Sequence, residues 1–230
     1  MMKRKDAKSA KCALAITITL TLLVAGYELF SSFQNYKSGM NILDFASYAN
    51  SNLNTYCLVL ILANLILLPG AIYLYKKNKI SLKDEIYEKK SLKKDIFWGI
   101  ALAVISALIS LFSLIVNKGR TELAFSGWGA LSVGQIILMA IALGIVSGIC
   151  KEIYFRGFAK NFCSSAWGET VAFLLFNILF GLLDWFNMGH SFIVGLLWIW
   201  GYKKRKHLIV PMIAHGGMNL ISVVFYILTL

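Results

Sequence analysis

Three polar clusters interrupt long apolar stretches: Lys151-Glu152-Ile153-Tyr154-Phe155-Arg156-Gly157, Phe180-Gly181-Leu182-Leu183-Asp184 and His215-Gly216-Gly217-Met218-Asn219. An ionisable residue at membrane depth is a functional-site candidate, because hydrocarbon cannot solvate it. On a helix Glu152 and Arg156 are four apart and share a face, so they form an ion pair that lowers the cost of burying either charge. His215 and Asn219 share a face in the same way. The two glycines between them strip bulk from the helix surface, so a peptide or a neighbouring helix can come close. Lysine stays protonated beside a carboxylate and is a poor base there, so Lys151 and Asp184 read as a complementary, structural ion pair.

Other chemistries are open to the same residues. Ser147 lies four residues before Lys151 on one helical face, the spacing of a Ser–Lys nucleophile pair. His190 follows Asp184 by six residues, off its helical face and at an expected loop, and is a substitute imidazole. Asp184, Glu152 and His215 together make a weak metal set, and no metal site or cofactor is expected from it.

The order and spacing of the clusters resemble the signatures of the CPBP family, the CAAX proteases and bacteriocin-processing proteins: E-E-x-x-x-R, F-x-x-x-H and H-x-x-x-N/D. Glu152, Arg156, Phe180, His215 and Asn219 match, and the likeness extends over about residues 95–225. The resemblance implies a helical bundle around a conical polar cavity open toward the cytoplasm or the lipid. It also implies that Glu152 and Arg156 shape the site, while His215 and Asn219 hold the carbonyl oxygen of the scissile bond as an oxyanion hole. Lys151 stands where the family has its first Glu, and Asp184 where it has its His. Those two positions activate water in the family's proteases, a task for a carboxylate with a near-neutral imidazole.

The elements that must position these residues are membrane spans. The chain has 230 residues, 58% of them hydrophobic, and a mean hydropathy of +0.70. A soluble domain is nearer half apolar. Seven apolar segments are predicted at about 12–30, 56–75, 96–116, 135–163, 168–187, 191–202 and 208–230, making one all-α polytopic membrane domain over 1–230 with six to eight spans. The sixth is short for a full crossing, and is tilted, broken or extended through Met188-Gly189-His190. Pro69-Gly70 should kink the second, and the interval 76–95, with eight lysines and four acids, reads as an amphipathic or solvated connector. The basic start and apolar run to Gly26 have the shape of a signal sequence, with Val24-Ala25-Gly26 as a small-residue site, and are taken here as an uncleaved first span.

Basic residues sort by side. Eighteen fall in the N-terminal tail, in 76–95, at Lys160 and in Lys203-Lys204-Arg205-Lys206, against Lys37, Lys118 and Arg120 on the other side. The positive-inside rule then puts the N-terminus in the cytoplasm and the C-terminus outside, in the cell membrane. The net charge of +12 is thus topology rather than a nucleic-acid surface. Glu28 is expected to reach the outer interface, and Trp128, Trp167, Trp185, Trp198 and Trp200 to anchor span ends. Cys12, Cys57, Cys150 and Cys163 have neither ligand nor disulfide spacing.

The expected function is that of a CAAX-protease-like protein without the water-activating pair, working in membrane lipid by binding a peptide or membrane-protein partner. Bacteriocin self-immunity and envelope-enzyme control are examples of that mode. A divergent intramembrane endopeptidase and a small transporter using Lys151, Glu152, Arg156 and Asp184 as a relay are the alternatives.

Overall fold

The computed structural model describes residues 4–37, 45, 48–49, 52–116 and 131–229. Lys118, Arg120 and Trp128 lie outside these. Among the described residues all regular structure is helical. Helix α1 (Arg4–Gln34) buries Ala10, Ala13, Leu20 and Val24 in the core. Helix α2 (Leu53–Lys77) starts at Asn52, whose side chain accepts from the Thr55 N–H at 3.1 Å, and continues through Pro69. A short helix α3 (Leu82–Ile86) is capped by Ser81 inside the expected connector, and α4 (Leu92–Val116) follows.

Helix α5 (Val133–Trp167) carries the first polar cluster. Ser132 and Gln135 form a reciprocal capping box at its start. Over Ala140–Ser147, Ile153–Gly157 and Ala159–Cys163 it is wound more widely, with hydrogen bonds to the fifth residue, a form that concentrates at functional sites. It ends at Gly168, whose φ of +84° only glycine adopts without strain. Helix α6 (Glu169–Leu183) then leads through a tight turn at Trp185–Asn187 into α7 (Met188–Arg205) and α8 (Ile209–Thr229).

Each of the seven apolar segments is therefore a helix, and the chain is a polytopic membrane bundle. Ala7–Gln34, Leu53–Lys77, Leu92–Phe112 and Val133–Trp167 are long and apolar enough to cross a bilayer; Glu169–Leu183 and Ile209–Phe225 are apolar but shorter. The sixth segment is extended through Met188-Gly189-His190 into α7, so His190 sits in a helical first turn rather than in a loop. Leu22, Ile66, Phe97 and Phe112 point outward, as a lipid-facing surface requires.

The segments counted together by charge gather at one end. Lys160 meets Glu85 at 2.9 Å, Arg205 and His207 meet Asp95 at 2.7 and 2.9 Å, and Lys203 meets Glu169 at 2.9 Å. Ser9 donates to Asn78 at 2.9 Å, which brings the start of α1 to the same end. Trp200 flanks Lys204 there, 5.0 Å from its ammonium, whereas Trp198 is no interfacial anchor. It is fully buried, because its indole N–H finds the Ser106 hydroxyl at 2.9 Å and its ring finds His215.

Candidate functional site

The i,i+4 spacing of Glu152 and Arg156 produces the expected ion pair, Nη1 to Oε1 at 3.1 Å, with both residues essentially without solvent contact. Arginine keeps its charge when buried, so its remaining surface must be satisfied. Its other terminal nitrogen donates to Gly195 O at 3.3 Å and, more weakly, to Asn177 Oδ1 at 3.4 Å. The guanidinium also lies over the rings of Phe180 at 4.3 Å and Trp198 at 5.4 Å. A side chain at Gly195 would strike Asn177 Oδ1, so the absence of a Cβ there is what admits the amide and the guanidinium.

His215 joins the same carboxylate, with Nδ1 2.8 Å from Glu152 Oε1. Its ring is stacked on Trp198 at 4.5 Å and meets Phe180 edge-on at 5.4 Å. Two of the three clusters therefore close on Glu152 through Oε1, while its Oε2 has no hydrogen-bond partner. Asn219, one turn beyond His215, gives its amide to Leu143 O at 2.8 Å. The close approach foreseen at Gly216-Gly217 is made by α5: a Cβ on Gly216 would strike Gly144 O, and one on Gly148 would stand 2.8 Å from the Gly216 Cα.

The expected Lys151–Asp184 ion pair is not formed. Asp184 ends α6 and accepts instead from Ser191 Oγ at 2.8 Å, so one carboxylate oxygen is satisfied within its own turn. Lys151 is 5% exposed, and among the described residues its ammonium makes no ion pair. Ser147 is fully buried and its hydroxyl has no hydrogen-bond partner, so a Ser147–Lys151 bond is absent as well. His190 is bonded to Ser110 Oγ at 2.7 Å. The metal alternative fails on geometry: among the described residues no three His, Cys, Asp or Glu side chains gather to hold an ion.

Glu28 departs furthest from expectation. It does not reach the interface but is fully buried, and neither carboxylate oxygen meets hydrogen-bond geometry with a described donor. Asp184 and Lys151 are its charged neighbours, and the Tyr56 phenol lies beside it. The reason is topological. Helix α1 does not stand at the rim of the bundle but packs against α2, α5 and α6, and position 28 falls on its inward face together with Leu20 and Val24.

The polar interior is thus layered. Counting about 1.5 Å per helical residue from contacts at the basic end, Glu152 and His215 lie roughly 10–12 Å in, Asp184 about 22 Å and Glu28 about 28 Å. The inner layer comprises Glu152, Arg156, His215, Asn177 and Trp198. The outer layer comprises Glu28, Tyr56, Asp184 and Ser191, with the Lys151 side chain reaching toward it. Asn177 had a readable signal, a lone amide in an apolar helix on the face of Phe180 and Asp184. Glu28 had one too, a lone acid inside the segment 12–30, which the interface reading set aside, whereas Tyr56 had none.

No curated protein and no solved structure matches the chain significantly. A family model described as type II CAAX prenyl endopeptidase Rce1-like matches residues 132–221, a narrower stretch than 95–225 that leaves out α4. It takes in both layers' contributions from α5 to α8, and over that stretch the chain is similar to the Rce1-like, CAAX-protease family that its three polar clusters resemble.

Proposed function

We propose that this protein does not hydrolyse peptides but works by binding a peptide or another membrane protein, in the manner of bacteriocin self-protection or envelope-enzyme control. One observation carries the reading. The buried imidazole of His215 is held by Glu152 and flanked by Phe180 and Trp198, while Lys151 and Asp184 stand at the two positions that, by the resemblance, activate water. An ammonium ion cannot take a proton from water. Asp184 has one oxygen on Ser191, and His190 is bonded to Ser110. The Asn219 amide is engaged with Leu143 O rather than free for the carbonyl of a scissile bond. By the positive-inside rule the basic end faces the cytoplasm, so the turn between α6 and α7 faces outward.

The test compares cells carrying the native chain with cells carrying Lys151→Glu, Asp184→His, reading new peptide ends and co-purified partners by mass spectrometry. The expected result is a shared partner and no new ends from the native chain. Specific ends that the native chain generates and His215→Ala removes would overturn the proposal. A second reading, a divergent endopeptidase, is favoured by the unbonded Ser147 hydroxyl one turn from Lys151. It requires that Ser147→Ala abolish those ends while the fold survives.

A further inference from the structure

The outer layer holds two carboxylates, Glu28 and Asp184, against one ammonium, Lys151. None of the three is ion-paired with another. A buried carboxylate is strongly disfavoured unless a positive group, a donor or a proton compensates it. In the inner layer the charge of Glu152 is already met by Arg156 and His215 through Oε1, although Glu152 Oε2 has no hydrogen-bond partner. Among the described residues, Glu28 is the fully buried carboxylate that has no ion pair.

We propose that Glu28, Asp184 and Tyr56 form a binding site for a primary ammonium group carried on an apolar peptide, which enters at the turn between α6 and α7. The proposal rests on the binding role argued above and names the chemistry of what is bound. An ammonium is compact and brings three N–H donors. Acceptors answer them in the two Glu28 oxygens and the Asp184 oxygen not used by Ser191, with the Tyr56 phenol lying against Glu28. Asp184 is the part-exposed member and marks the entrance, with Glu28 fully buried behind it. Lys151 sets the selectivity. It offsets one carboxylate, so a singly charged group completes neutrality and an anion is repelled by the remaining pair.

The ammonium has two sources in a peptide, a lysine side chain or a free N-terminus, and the probes separate them. The full-length protein in a nonionic detergent would be titrated, with tryptophan fluorescence as the readout, against three apolar helical peptides of one sequence. The first has a central lysine and a blocked N-terminus, the second norleucine and a free N-terminus, the third norleucine and a blocked N-terminus. At least one of the first two is expected to bind tenfold or more tightly than the third, and which one identifies the source. Glu28→Gln should abolish that preference and Lys151→Met should strengthen it, so a folding failure of one variant leaves the other as the test. Equal binding of all three peptides, or a preference that neither variant moves, overturns the ammonium site and leaves the peptide-binding role standing. Binding of none of them overturns both.

Discussion

Arg156 cannot shed its proton, and around it the chain has assembled a carboxylate, a carbonyl, an amide and two aromatic faces. Removing one partner of such a pair leaves an uncompensated buried charge. Arg156→Leu is therefore expected to lower stability by roughly 3–5 kcal/mol, and Glu152→Leu with Arg156→Leu to recover much of the loss. Unfolding in detergent measures both, and a double variant no better than the single would show that Glu152 is not what Arg156 neutralises. The Glu152–Arg156 pair was legible from i,i+4 spacing alone. The Lys151–Asp184 pair, inferred from complementary charge, was not, because sign says nothing of depth: the two sit at different levels of neighbouring helices. Glu28 was misplaced for a related reason. Position along a helix fixes a residue's height, but whether that face meets lipid or protein depends on where the helix packs.

At the scale of elements, glycine decides how α5 and α8 cross. Gly144, Gly148 and Gly216 bring the two backbones into contact, the small-residue packing that substitutes for hydrophobic driving force inside a membrane. Gly216→Ala should then cost roughly 1–3 kcal/mol through overpacking. Gly189→Ala, where an added methyl meets nothing within 4 Å, should be close to neutral. Thermal unfolding of the two variants side by side tests this, and equal midpoints would refute the crossing as a source of stability. The sequence offered Gly216-Gly217 to either a peptide or a helix; the helix occupies it. All seven apolar segments were readable, since a hydrophobic stretch declares itself by composition. The wide winding of α5 was not, because it depends on what the helix packs against rather than on local propensity.

For the molecule as a whole, charge and contact agree. The N-terminal tail, the connector with Glu85, Lys160 and the basic run after α7 meet at one end. Reporter fusions are expected to place the N-terminus in the cytoplasm and the C-terminus outside. Both termini on one side would require an even number of crossings and overturn that topology. If the fusions report that orientation, the Glu152 layer lies nearer the cytoplasmic end and the Glu28 layer nearer the outer one. A ligand arriving from outside would meet Glu28 and Asp184 before any family-matching residue.

Glu28 and Tyr56 belong to α1 and α2, whereas the family match begins only at residue 132. A chimera that transplants residues 132–221 into a relative's scaffold would carry Lys151 away from Glu28, leaving Asp184 as its one remaining charged neighbour from that layer. Moving the segment without α1 and α2 would thus balance Lys151 against Asp184 alone and remove the surplus carboxylate on which the proposed ammonium site depends.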